Sequence, residues 1–134
     1  MKQKEIHNVD EEMIGFETLI FDYFLYASIK FDRNNKNNFD AYLPNGLENH
    51  FINGCYLEIK YSNNIFDLKN YAKNNSNINL IIISLSNVTI IEKDYIILGV
   101  EFIKKIIDKC YKKNVTDWNL KQRTINRRLH SQIL

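Results

Sequence analysis

With 134 residues, 45% of them hydrophobic, the chain has material for one core, and no stretch reads as an interdomain linker, so a single domain over 1–134 is expected. No apolar run approaches the roughly 20 residues needed to span a bilayer, and the charged N-terminus lacks a signal-peptide core, which predicts a cytoplasmic protein without membrane attachment. The net charge of +2 is unevenly spread: residues 1–99 hold nine basic and thirteen acidic side chains, residues 100–134 nine and three.

Asn8-Val9-Asp10-Glu11 reads as a helix start, an asparagine cap with acids in the first turn, where they favour the helix dipole. A helical, heavily apolar pattern then runs to about Ser28. At about 100° per residue, Gly15, Thr18 and Asp22 mark the wet side, whereas Glu17 falls among Met13, Ile14, Ile20, Phe21 and Phe24. A carboxylate on such a face is costly unless a cation or several donors meet it. Glu17 is therefore either a site residue or a hydrogen-bonded glutamate at the rim of the core.

Ser28 to Asp32 reads as a short strand, and Arg33 to Asn38 as a polar turn. Phe39-Asp40-Ala41-Tyr42-Leu43 alternates as a strand, with Asp40 and Tyr42 on one face and Phe39, Ala41 and Leu43 on the other. Pro44-Asn45-Gly46 stops it. Cys55 to Tyr61 alternates in the same way, so that Glu58 and Lys60, two positions apart, share a face while Leu57, Ile59 and Tyr61 take the other. If the two strands are neighbours, Asp40 comes within a few ångströms of Glu58.

Ile65 to Lys73 reads as a helix with Ile65, Phe66, Leu68 and Ala72 as its buried stripe, ended by Asn74 to Asn77. The β-branched run Asn79 to Leu85 predicts a central strand covered on both faces. Short strands follow at Val88 to Ile91 and Tyr95 to Leu98. From Gly99 the period is helical again, with Val100, Ile103, Ile106, Ile107 and Cys110 on one face. A last, basic helix is expected over about 117–130, within a basic extension at 117–134. The fold class this order predicts is α/β, three layers, with a central mixed sheet of four to five strands flanked by helices.

Other chemistries find little support. Cys55 and Cys110 have neither metal-ligand spacing nor a disulfide framework and read as buried thiols. His7, His50 and His130 are dispersed, which argues against a zinc or histidine-based site. The four glycines, at 15, 46, 54 and 99, form no phosphate loop. Asparagine is so abundant that its runs read as compositional bias.

An acid on one strand, Glu-x-Lys on the next and a glutamate in the preceding helix together resemble the PD-(D/E)xK, restriction-endonuclease-like nucleases. The matching positions are Asp40, Glu58, Lys60 and Glu17, over roughly 14–110, and the chain departs from the family pattern in having Phe39 where the proline would stand. The resemblance implies a metal-dependent endonuclease acting on DNA. Asp40, Glu58 and the main-chain carbonyl of Ile59 would hold Mg²⁺ or Mn²⁺, Lys60 would orient water or stabilise the attacked phosphoryl oxygen, and Glu17 would complete the metal shell directly or through water. The chain is also similar to Mrr-like domains of bacterial anti-phage defence proteins. That likeness implies a restriction or defence effector, homo-oligomerisation as a possible mode of action, and an NTPase or sensor region beyond residue 134. Lys121, Arg123, Arg127 and Arg128 could lie along a phosphate backbone, or could form a solvated helix face. Two readings compete with the nuclease: a catalytically inactive module of the same fold for nucleic-acid binding or assembly, and a carboxylate-pair enzyme such as a glycosidase, in which the lysine would have no task.

Overall fold

The structure is a computed structural model and describes residues 2–111, with side chains over 12–110. The order is α1 (Lys2–Tyr26), β1 (Ala41–Leu43), β2 (Cys55–Ile59), α2 (Ile65–Asn74), β3 (Leu80–Ile83), β4 (Ile90–Ile91), β5 (Tyr95–Leu98) and α3 (Val100–Tyr111). The strands form one mixed sheet in the order β1-β2-β3-β5-β4. β2, β3 and β5 are parallel, and the antiparallel strands β1 and β4 close the two edges.

α1 and α3 cover one face and α2 the other, giving the three layers expected. Alternation decides which residue serves which face. Leu57, Ile59, Ile81, Ile83, Ile96 and Leu98 pack toward α1 and α3, against Phe16, Leu19, Ile20, Phe24, Phe102, Ile103 and Ile106. Leu80, Ile82 and Ile97 pack toward Leu68 and Ala72 of α2. β3 is thus buried on both sides, as its unbroken aliphatic run requires. Cys55 and Cys110 are buried thiols with no disulfide, and burial pushes the Cys55 thiol up to about 12. Among the described residues no helix is long and apolar enough to cross a membrane.

Several expectations are corrected. α1 begins at Lys2, so Asn8 to Glu11 lie inside the helix and do not start it. Ser28 to Asp32 is not a strand, because a Schellman ending consumes its first residues. Ser28 turns left-handed (φ 57°), its N–H bonds Leu25 O, and Ile29 N–H reaches back to Phe24 O at 2.8 Å. Asp32 alone pairs, exchanging both main-chain hydrogen bonds with Tyr42 and so covering the outer edge of β1. Met13 and Ile14 of α1 are exposed, and Phe66 of α2 is 71% exposed; the buried side of α2 consists of Leu68 and Ala72 flanked by Ile65 and Tyr71. Only Ile90–Ile91 of the Val88 to Ile91 stretch joins the sheet. The basic helix expected at 117–130 lies outside the described residues.

Between β1 and β2 the chain makes a tight excursion. Leu47 and His50 bridge each other through a turn whose central residues, Glu48 and Asn49, are both left-handed (φ 53° and 63°). Gly46, at φ 69°, is required there, since a Cβ would sit 1.9 Å from His50 O. Lys105 of α3 holds the turn down, its ammonium 2.7 Å from Glu48 Oε1.

Candidate active site

The site forms where the β1–β2 ladder ends. The last paired rung is Ala41↔Leu57, so Asp40 and Glu58 stand opposite one another just beyond it. Asp40 lies outside the strand because Asn35 takes both main-chain groups of Phe39. The Asn35 Oδ1 accepts from Phe39 N–H at 3.0 Å, and its Nδ2 donates to Phe39 O at 2.8 Å. Phe39 therefore cannot continue the ladder. Its ring turns to the α2 face and packs 5.1 Å from Tyr56, opposite to the face that alternation assigned it. The Asp40 carboxylate supplies the missing ladder acceptor: Oδ2 receives the Ile59 N–H at 2.6 Å. In return, the Asp40 N–H donates to Glu58 Oε1 at 3.3 Å.

Glu58 and Lys60 share the α2 face, as their spacing predicts. Lys60 Nζ is 3.7 Å from Glu58 Oε2. The same oxygen accepts a short hydrogen bond from the Tyr71 hydroxyl, delivered from the last turns of α2. The Lys60 ammonium also sits 4.3 Å from the centroid of the Tyr71 ring. Tyr71 thus holds both members of the Glu-x-Lys pair, one by its hydroxyl and one by its ring.

The charge balance is unfavourable to an ionised Glu58. Burial and then the neighbouring Asp40 raise its pKa to about 7, against the opposing pull of the Tyr71 hydrogen bond and the Lys60 charge. The Tyr71 hydroxyl is raised as well, by burial and by its bond to Glu58. Two carboxyl groups in contact, with one half-exposed ammonium between them and solvent, are a donor set that suits a hard divalent cation. Tyr71 engages Glu58 Oε2 and the Ile59 N–H engages Asp40 Oδ2, while Glu58 Oε1 takes only the longer bond from the Asp40 N–H. Glu58 Oε1 and Asp40 Oδ1, with the Ile59 carbonyl, are the oxygens through which such an ion would be held. Among the described residues no three His, Cys, Asp or Glu side chains gather into one group, so water or substrate would fill the remaining positions.

Glu17 stands apart from this pair. It lines a groove on the outer side of α1 with Ile14, Phe21, Leu25, Phe31 and Arg33. Burial raises its pKa and the charge of Asp40 adds to this, while Arg33 opposes it. The Asp40 charge thus reaches Glu17, but no hydrogen bond joins Glu17 to the cluster of Asp40, Glu58, Lys60 and Tyr71. Lys121, Arg123, Arg127 and Arg128 lie outside the described residues. Two participants, Asn35 and Tyr71, are absent from the expectations drawn from sequence. Tyr71 carried a signal, since it adjoins Leu68 and Ala72 at helical spacing and so sits beside the sheet-facing stripe. Asn35 carried none beyond its position in a turn.

The chain matches no family model, and neither curated proteins nor solved structures gave a match.

Proposed function

We propose that this protein is a divalent-metal-dependent nuclease of the restriction-endonuclease-like kind, hydrolysing phosphodiester bonds in DNA with Mg²⁺ or Mn²⁺. The observation that carries the reading is the cross-strand contact of Asp40 with Glu58, with Lys60 on the same edge of the sheet. Asp40, Glu58 and the Ile59 carbonyl would hold the ion, which supplies a more acidic water and neutralises charge on the scissile phosphate. Lys60, kept near Glu58 by the Tyr71 ring, orients the attacking water or meets the phosphoryl oxygen. A role as a restriction or defence effector, in a homo-oligomer or ahead of an NTPase or sensor region, belongs to the same proposal.

A second reading takes its support from Tyr71 and Lys60, which together occupy Glu58 Oε2 and could make the cluster purely structural within a non-catalytic module. One set of measurements separates the two. Supercoiled, linear and single-stranded DNA are incubated with the protein and Mg²⁺ or Mn²⁺, and thermal stability is followed during metal titration. Asp40→Asn, Glu58→Gln and Lys60→Ala are expected to abolish cutting with the fold intact, and Asp40→Asn to remove divalent-dependent stabilisation. Absence of both cutting and metal stabilisation in the wild type would discard the nuclease reading.

A further inference from the structure

Each carboxyl of the candidate pair has one oxygen already engaged. On Asp40 the donor is main chain, the Ile59 N–H on Oδ2 at 2.6 Å, and is set by the strand itself. On Glu58 the groups are side chains. Oε2 accepts the short bond from the Tyr71 hydroxyl, and the Lys60 ammonium stands 3.7 Å from the same atom, beyond hydrogen-bond range. Glu58 Oε1 takes only the 3.3 Å bond from the Asp40 N–H. Tyr71 is the firmer of the two side chains on Oε2. It rides on α2, whose Leu68 and Ala72 are buried against the sheet, while Lys60 ends a flexible stem.

Divalent cations differ in what they ask of a carboxylate. Ca²⁺ gathers about six to eight oxygens in flexible geometry and accepts both oxygens of one carboxylate. Mg²⁺ is smaller, demands a near-regular octahedron of about six ligands and keeps several waters. The two oxygens of one carboxylate stand too close together for neighbouring corners of that octahedron, so Mg²⁺ takes one. We propose that Tyr71 decides between these ions: by holding Glu58 Oε2, its hydroxyl limits Glu58 to a single oxygen and favours Mg²⁺ relative to Ca²⁺. The inference rests on the reading of Asp40 and Glu58 as metal-holding groups, and it names what selects the metal.

The number of oxygens on offer gives one hydroxyl its weight. Among the described residues, Asp40 Oδ1, Glu58 Oε1 and the Ile59 carbonyl supply half of an octahedron whose remaining corners suit water, but less than half of the larger shells that Ca²⁺ takes. Freeing Glu58 Oε2 adds one more oxygen, of use to Ca²⁺ and not to Mg²⁺. Hydrogen bonds that orient a metal's ligands tune its affinity about 10–100-fold. Tyr71 acts through Glu58 and is in this sense a positioning residue. Removing its hydroxyl also withdraws a donor from the ionised carboxylate, which weakens the binding of every divalent cation in the same sense. The ratio of two affinities cancels that common part and keeps the change in available oxygens.

Thermal stability of the full chain, followed without DNA during separate titrations with MgCl₂ and CaCl₂, reads both affinities. Tyr71→Phe keeps the ring, its packing and its contact with Lys60, and is expected to shift the ratio of Ca²⁺ to Mg²⁺ affinity about tenfold toward Ca²⁺. Tyr71→Leu removes the ring too and should give the same shift, while circular dichroism of both variants in a chelator stays that of the wild type. A wild type that neither ion stabilises overturns the reading of the pair as metal-holding. Stabilisation by both ions with a ratio that Tyr71→Phe leaves unchanged overturns this inference alone. So does a shift found with Tyr71→Leu and absent with Tyr71→Phe, which would assign the choice of ion to the ring and Lys60.

Discussion

The two faces of the sheet are built unequally. On one, α1 and α3 bury a continuous aromatic and aliphatic layer in which Phe21, Phe24 and Phe31 meet ring against ring and Tyr23 meets Phe102. On the other, α2 alone covers Leu80, Ile82 and Ile97, and its cover ends at the β1–β2 edge, where Phe39, Tyr56 and Tyr71 are only partly buried. Asp40, Glu58 and Lys60 occur on the thin side. Charged groups cannot be retained in the thick layer, where desolvation would neutralise them or force a partner. At the edge of the thin one, burial is sufficient to displace a carboxyl's pKa and insufficient to exclude water or an ion.

The inequality can be broken most forcefully through the core. Phe24→Ala is expected to cost about 3–5 kcal/mol, whereas Leu68→Ala under α2 should cost nearer 2 kcal/mol; urea denaturation of both gives the ratio, and equal losses would remove the distinction between the faces. A smaller effect sharpens the thin side. Since the Glu58 pKa in the folded protein is about 7 and its ordinary value 4.5, the folded state keeps a proton that the unfolded chain has already released. Metal-free wild-type protein should thus lose stability between about pH 4.5 and 7 relative to Glu58→Gln, with no further change above. Discounted for a carboxyl that water still reaches, the loss is about 1 kcal/mol. Thermal melts of both proteins across that range, in a chelator, test it; parallel curves would mean that Glu58 is not held protonated. The smallest effect is expected on the thick side's rim. Lys105→Ala breaks an ion pair that is largely open to solvent and should cost about 0–1 kcal/mol by the same denaturation measurement.

Much of this arrangement was legible in the sequence. Period-2 alternation over Cys55 to Tyr61 placed Glu58 and Lys60 together, and the aliphatic run at 80–83 identified the central strand. Both are patterns in which one residue type repeats at the element's own period. What escaped was local and non-periodic. Phe39 reads as a strand residue, yet a side chain four positions earlier captures its main chain and turns it over. Asn35 stands in a run of asparagines that composition alone would explain. Ser28 begins a stretch that looks extended, and the helix ending claims it. Glu17 shows how coarse a helical projection is: of the apolar residues grouped with it, Ile20, Phe21 and Phe24 are buried and Met13 and Ile14 are exposed, so it stands at the rim of the core.

The strand order also divides the site between two kinds of pairing. Asp40 meets Glu58 across the antiparallel β1–β2 pair, eighteen residues apart in sequence. Tyr71 reaches the same glutamate from thirteen residues on, carried by the α2 crossover between the parallel strands β2 and β3. The carboxyl pair and its clamp therefore depend on separate contacts, so a chain in which α2 came away from the sheet would hold two acids in contact without the group that fixes them.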